Sequence, residues 1–126
     1  MIPTGWIEAL VDVDRALEFS GDVIDEYSKL VDLKGNYEFL TVKLPTITSS
    51  TISVYGQETE AVSEVPVPVH FWGDSDADTN VEQATVAATT ALILTFRIGA
   101  LQYIRIRANS TQAADISVKV RGFNRG

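Results

Sequence analysis

The chain has 126 residues, of which 45% are apolar, and a formal net charge of −7, which is the size and composition of a single soluble domain. It contains no cysteine and one histidine, His70, so disulfide frameworks, thiol nucleophiles, cysteine-based zinc sites and multi-histidine metal centres are excluded. No apolar stretch reaches the roughly 18 residues of a transmembrane helix, and the N-terminus lacks the basic and apolar regions of a secretory signal.

The first 18 residues do not follow a clear strand pattern. Residues 6–17 fit either a short helix or an extended arm, and we favour an arm in which Trp6 is the anchor to a neighbouring chain. Residues 19–126 then form one domain, because no Gly/Ser-rich or Pro-rich linker divides them. The predicted organisation is therefore an N-terminal arm or short helix over 1–18 and a single β-sandwich domain over 19–126.

Alternation of apolar and polar residues, typical of β-strands, runs through the rest of the chain. Lys29–Leu33 is a predicted strand that ends in a tight turn at residues 34–36, whose Gly-Asn pair tolerates positive φ. Pro66 and Pro68 lack amide donors and restrict Val65–Phe71 to a sheet edge or an extended arm. The other predicted strands are Tyr37–Leu44, Thr51–Tyr55, Ala91–Arg97, Leu101–Ala108 and Asp115–Phe123. Seven or eight short antiparallel strands predict an all-β, jelly-roll-like β-sandwich rather than a closed barrel.

Charge is split along the chain. Residues 1–96 contain 16 acidic and 4 basic residues, whereas residues 97–126 contain 6 basic residues and 1 acidic residue. The acidic total argues against nucleic acid as a partner. Complementary patches of this kind steer self-assembly or docking on an acidic partner; the alternative is that strands of opposite charge are neighbours in one sheet.

The basic residues of the C-terminal part fall on common sides of two strands. Arg105 and Arg107 share one side of their strand, and Lys119 and Arg121 share one side of the next. If the two strands are paired, the four cations form a basic stripe, which is destabilising unless acidic neighbours or a partner neutralise it. A solvated face bridged by acidic strands is the alternative. The predicted interface residues are Trp6, Arg105, Arg107, Lys119 and Arg121.

Residues 73–82 place oxygen-bearing side chains at every second position, as the start of an EF-hand calcium loop does. The match ends at Thr79, where that loop needs glycine, and at Thr85, where it needs a bidentate glutamate. An acidic surface loop is therefore favoured over a Ca²⁺ site, and no other cofactor is expected. The residues that would bind Ca²⁺ are Asp74, Asp76, Asp78 and Asn80.

No convincing catalytic group is present in the sequence. His70 lies near the acidic loop, but no serine elbow or paired acid accompanies it, so a structural histidine is favoured and no enzymatic activity is expected. A carbohydrate-binding module would stack sugar rings on exposed aromatic residues, although aromatic residues also serve as core residues. The candidates for such a platform are Trp6, Tyr55, Trp72 and Tyr103.

The order of several short segments resembles small β-sandwich virion proteins that tailed bacteriophages encode near their capsid and tail genes. The resemblance extends over about residues 19–122 and departs from the pattern in the acidic, proline-containing stretch 58–82. The segments that carry it are Phe19–Asp25, Leu30–Leu33, Leu40–Pro45, Ile52–Gln57, Gln102–Arg107 and Gln112–Asp115.

This resemblance implies a non-enzymatic structural component of a virion, assembled in the cytoplasm of a bacterial host. The expected role is a capsid decoration (cement) protein that binds and stabilises the shell of major capsid protein as a symmetric homo-oligomer, with a trimer favoured. The alternatives are a head-fibre or tail component, or a carbohydrate- or receptor-binding β-sandwich module. Neither nucleic acid nor a membrane is an expected partner.

Overall fold

The described part of the chain consists of β-strands joined by loops. The computed structural model describes residues 5–12, 15–22, 26–47, 50–71, 81–82, 91–108, 110 and 112–124. Within these ranges there is no helix, and hence none long and apolar enough to cross a membrane. The strands are β1 (Ile7–Val11), β2 (Val31–Leu44), β3 (Ile52–Gln57), β4 (Val67–Pro68), β5 (His70–Phe71), β6 (Val81–Glu82), β7 (Leu92–Ala108) and β8 (Ile116–Phe123). The predicted all-β class and the predicted number of strands are confirmed.

Six strands form one antiparallel sheet in the order β1-β8-β2-β7-β3-β4, and β5 pairs with β6 in a separate two-stranded sheet. The 14-residue β2 and the 17-residue β7 are the central strands. Among the described residues β4 pairs only with β3, so the proline-containing segment lies at a sheet edge, as predicted. The arrangement is consistent with a β-sandwich-like fold.

Two predicted turns are bends within long strands. The prediction of a tight turn at residues 34–36 is wrong, because β2 continues through these residues. The two strands predicted on either side of Gly99 are likewise one strand, β7. Lys34 has φ 64°, and on β7 Gly99 has φ 61° and Ala100 has φ 68°. The β2–β7 register shifts around these positions, because the extra residues bulge out while pairing resumes beyond them. The sheet therefore bends without being interrupted.

The main core lies between the two parts of the sheet on either side of this bend. Inward side chains from both parts belong to one apolar cluster, which explains why β2 and β7 alternate buried and exposed residues over most of their length. Burial of this apolar surface is the main source of stability in a chain without disulfides. The cluster includes Ala9, Val11, Leu40, Val42, Val54, Ile104, Ile106, Val118 and Val120.

A second layer covers the outer side of β3 and of the C-terminal half of β7. All six residues of β3 are buried, which requires cover on both sides of the strand. That cover includes the segment before β2, residues 15–22 and 26–29, which we call the covering segment. The Ser28 amide donates to the Ile106 carbonyl, and the Ala108 amide donates to the Glu26 carbonyl, each at 2.8 Å. Phe19, Tyr27 and Tyr55 form a small separate core there, with ring centroids 5.3 Å apart in edge-to-face contacts.

The N-terminal segment differs from the predicted arm or short helix. Ile7–Val11 is a strand that pairs with β8 along its whole length, and Ala9 and Val11 belong to the main core. The short alternation of apolar and polar residues in Ile7–Val11 is enough for a strand to form, because the edge of β8 is available for pairing. The division expected between residues 18 and 19 falls inside the covering segment, where Arg15 forms an ion pair with Asp22 at 3.1 Å.

Candidate functional site

The four cations predicted to form one basic stripe lie on strands that are not neighbours. β2 separates β7 from β8 in the sheet, so Arg105 and Arg107 are remote from Lys119 and Arg121. The predicted stripe is therefore corrected to two separate groups, each with its own environment. One group is structural, and the other forms part of an exposed surface.

Arg105 is a buried structural cation and not an interface residue. Its side chain is 0% exposed, because the covering segment lies directly over it. The guanidinium forms an ion pair with Glu18 at 2.8 Å, donates to the Ser28 carbonyl at 3.0 Å and to the Val62 carbonyl at 3.2 Å, and lies 4.8 Å from the ring centroid of Phe19. Arg105 therefore fastens the covering segment and the loop between β3 and β4 to β7, and it is unavailable to a partner.

Glu18 connects Arg105 to a second buried arginine. The Glu18 carboxylate accepts from Arg15 at 2.5 Å as well as from Arg105, and Arg15 also donates to the Tyr27 carbonyl at 2.7 Å and to Asp22. Burial alone would raise the pKa of Glu18, but the hydrogen bond and charge of Arg105, together with those of Arg15, hold it below its ordinary value. We call these four residues, Arg15, Glu18, Asp22 and Arg105, the buried ionic cluster.

Arg107 is also held within the fold, although its side chain is 28% exposed. It donates to the Tyr55 hydroxyl at 2.7 Å, lies 3.6 Å from Glu26, and is stacked 5.0 Å from the ring centroid of Tyr27. Burial raises the pKa of Tyr27 to about 12. Since Tyr55 is itself 7% exposed, it belongs to the small core and not to an exposed aromatic platform of the kind that binds sugars.

The other two cations lie on an exposed sheet surface made by β1, β8, β2 and the N-terminal half of β7. The register places Lys119 of β8 opposite Lys43 of β2, and Lys43 opposite Ile93 of β7. Arg121 of β8 lies one row further along, opposite Thr41. We call this surface the basic face and define it by Lys43, Lys119, Arg121, Trp6, Ile93 and Phe123.

Two like charges face each other directly on the basic face. Lys119 lies between Lys43 on one side and Glu8 on the other, and the carboxylate of Glu8 accepts a hydrogen bond from Ser117. Cations that are opposite each other across strands are unfavourable within a sheet, and Glu8 on the other side of Lys119 offsets only part of this repulsion. Lys43 was missed as a candidate, although it continues the outward alternation of its strand.

Apolar side chains accompany these cations. Trp6 is 43% exposed and Ile93 is 62% exposed. Trp6 lines a shallow depression of about 280 Å³ together with Thr41, Arg121 and Phe123. The Phe123 ring stacks on the ring of Phe39, with a centroid separation of 5.1 Å. Exposed aromatic residues combined with arginine are typical of protein-binding surfaces.

A second exposed surface lies at the other end of the sheet, in the loop between β3 and β4 and at the first residue of β4. Glu64 accepts from the backbone amides of Glu58 at 2.9 Å and Thr59 at 3.0 Å and from the Thr59 hydroxyl at 2.6 Å, so the loop has a defined shape. The Thr59 hydroxyl and these amides lower the pKa of Glu64. We call the surface the acidic edge and define it by Glu58, Glu60, Glu64, Val62, Val65 and Val67, whose valines are 48%, 53% and 63% exposed.

Several predicted site residues fall outside the described part of the chain. The candidate Ca²⁺ ligands Asp74, Asp76, Asp78 and Asn80 are among them, as is Trp72, and for His70 only the backbone is described. Among the residues that the structure does describe, no three histidine, aspartate or glutamate side chains come together as a possible metal site. A Ca²⁺ site in the acidic loop therefore stays a prediction.

Comparison with known proteins gives one distant structural similarity. No protein-family model and no curated protein matches the chain. Among solved structures, the chain is similar to the SPBc2 prophage-derived protein YomS, with a TM-score of 0.49 and 17% sequence identity over 97% of both chains. A similarity at this level is too distant to carry a function from one chain to the other.

Proposed function

We propose that this chain is a non-enzymatic structural protein of a bacteriophage virion, of the capsid decoration type. In this role it binds the shell of major capsid protein and stabilises it as a homo-oligomer, with a trimer favoured. The sequence resemblance described above supports this role. The structural observation that carries the proposal is the basic face, because it is a surface suited to binding protein.

Three properties make the basic face a binding surface for protein. It is part of a regular sheet, so the backbone that carries its side chains does not have to be ordered on binding. It presents exposed apolar side chains beside cations, which is the composition of an interface core with a charged rim. Finally, it is basic in a chain of net charge −7, so it selects an acidic partner surface.

The buried charges support a structural role in a different way. Arg105 and Arg15 bind carboxylates and carbonyls of the chain itself, and Arg107 binds a tyrosine hydroxyl within the fold. These groups fasten loops to the sheet and do not face a substrate cleft. For this reason the proposal assigns no catalytic residue among them.

The test is a binding assay on the particle with which the protein copurifies. Native mass spectrometry and light scattering give the oligomer, and electron microscopy of the particle shows whether the protein covers the head shell. The variant Arg121→Glu is expected to lower shell occupancy by at least about tenfold, because it disrupts a protein-binding surface that the assembled oligomer needs. The control Lys34→Glu makes the same charge change on an exposed lysine outside the basic face.

Electron-microscopy density for the protein on a fibre or tail instead of the head would favour the head-fibre or tail alternative. Binding to a glycan that is lost with Trp6→Ala, without any association with particles, would favour the carbohydrate-binding alternative. A chain that stays monomeric and associates with no particle would contradict the proposed function altogether.

A further inference from the structure

We propose that the basic face of one copy binds the acidic edge of a second copy, so that the chains assemble head to tail. This inference rests on the proposed function, because it assigns the contact between copies within the proposed homo-oligomer. It identifies the partner of the basic face by its chemistry: an exposed, valine-containing surface that carries three carboxylates.

The charges of the two surfaces are complementary. The basic face carries Lys43, Lys119 and Arg121, and the acidic edge carries a matching set of three carboxylates. Within the described residues no ion pair joins the two surfaces in one chain, whereas the cations of the buried ionic cluster are paired at 2.5–3.1 Å. A second copy would therefore neutralise both sets at once and relieve the repulsion between the two facing lysines.

The apolar side chains of the two surfaces also match. Trp6 and Ile93 on the basic face are exposed to a similar degree as Val62, Val65 and Val67 on the acidic edge. Single exposed apolar residues are ordinary on a protein surface, but grouped ones beside complementary charges indicate a contact. Their burial would supply affinity, while the charges would set the orientation.

The separation of the two surfaces in the sheet restricts the symmetry of the contact. The basic face spans β1, β8, β2 and the N-terminal half of β7, and the acidic edge lies beside β3 and β4 at the end of the strand order opposite β1. A twofold contact of two basic faces would bring cations onto cations and is disfavoured. A contact between unlike surfaces repeats from copy to copy, and it closes into a ring when the rotation permits, as a trimer requires.

The experiment is a charge swap read out by native mass spectrometry and sedimentation. The wild-type chain is expected to form multiples of 13.8 kDa, less stably at high salt because the contact is screened. Lys119→Glu with Arg121→Glu is expected to raise the dissociation constant by at least about tenfold, and Glu58→Lys with Glu60→Lys by a similar factor. Glu64 is left unchanged because it holds the loop. The chain that carries all four substitutions is expected to regain the wild-type mass.

Lys43→Glu is the second test of the basic face, because it is expected to weaken assembly without harming the fold. Circular dichroism of every variant separates loss of assembly from loss of folding. The inference is supported only when the combined swap restores assembly.

Four outcomes would overturn the inference. Assembly that is lost in both double variants but is not restored by the combined swap would mean that the two surfaces bind different partners. A monomeric wild-type chain that still binds particles would refute the contact between copies and the homo-oligomer, while leaving the proposed binding to the shell intact. Binding of labelled single-stranded DNA to a monomeric chain, lost with Lys119→Glu and Arg121→Glu, would assign the basic face to nucleic acid instead. Absence of both assembly and particle binding would contradict the proposed function itself.

Discussion

Two pairs of cations with the same sequence pattern have opposite environments in this molecule. Arg105 and Arg107 on β7 alternate in the same way as Lys119 and Arg121 on β8, yet Arg105 is fully buried and Lys119 is exposed. The difference comes from the covering segment, which packs over the outer side of β7 and β3. Alternation shows which side chains share a side of a strand, but a remote segment decides whether that side meets solvent.

The difference also separates stability from binding. In the buried ionic cluster each charge is held by partners of the same chain, so removal of one partner leaves the others uncompensated in a region of low dielectric. On the basic face Lys43 and Lys119 are exposed and Arg121 is partly exposed, so the loss of these cations costs the fold little. Substitutions in the two regions should therefore affect different measurements.

The largest expected effect is that of Arg105→Met. It removes the cation from between Glu18 and two loop carbonyls, and breaking a buried pair in this way costs about 3–5 kcal/mol of unfolding free energy. Arg121→Met on the basic face is the matched control, with an expected change within about 0.5 kcal/mol. Urea denaturation followed by tryptophan fluorescence measures both, and equal midpoints would contradict the distinction between the two regions.

The next largest effect is expected where β8 passes beneath the bend of β2. A Cβ added at Gly122 would lie 2.5 Å from Cγ and Cδ2 of Tyr37, a buried ring close to the backbone that cannot move aside. Gly122→Ala should therefore destabilise the chain by about 1–3 kcal/mol, as overpacking does. Gly56→Ala, which meets the flexible end of Leu101, should cost less, and Gly5→Ala should cost nothing measurable in thermal denaturation.

The sequence determined the strands better than the way in which they join. Tyr37–Leu44 and Thr51–Tyr55 alternate clearly and are strands, because a two-sided sheet leaves that signature. Gly35 and Gly99 were interpreted as turn residues, whereas the positive φ values lie at Lys34, Gly99 and Ala100 in bends of long strands; bulges and hairpins favour the same residue types. Local chemistry therefore could not distinguish a bend from a turn.

The candidate site was only half predictable for a related reason. Lys119 and Arg121 were identified correctly as outward residues, whereas the burial of Arg105 depends on Phe19, which lies 86 positions earlier in the chain. The acidic edge was missed because most of its residues lie in a loop, where strand alternation does not predict which side chains come together. Only the closure of the loop by Glu64 brings them together.

A smaller effect is expected from the pH dependence of stability in the buried ionic cluster. Because the pKa of Glu18 in the folded chain lies below its ordinary value, the contribution of this group is present above the unfolded pKa of 4.5 and is lost as the pH falls through the folded pKa. Glu18→Gln should lower stability at pH 7 and flatten its decline below about pH 4.5. Glu60→Gln on the acidic edge is the control, and thermal melts that show the same acid limb for Glu18→Gln and the wild type would contradict the assignment.

The smallest effect on stability is expected on the basic face, and its sign is opposite. Lys43→Glu replaces two facing lysines with an opposite-charge pair to Lys119, which should stabilise the isolated chain by about 0.2–1 kcal/mol in low-salt chemical denaturation. The control Lys34→Glu changes net charge equally but loses the 3.6 Å ion pair with Asp32, so it should not stabilise. The same Lys43→Glu chain should assemble less well, because it places a carboxylate where the acidic edge of the next copy would bind. A Lys43→Glu chain that is more stable but assembles less well would show that Lys43 serves binding. A chain that is less stable and assembles as the wild type does would show that Lys43 has no role in binding.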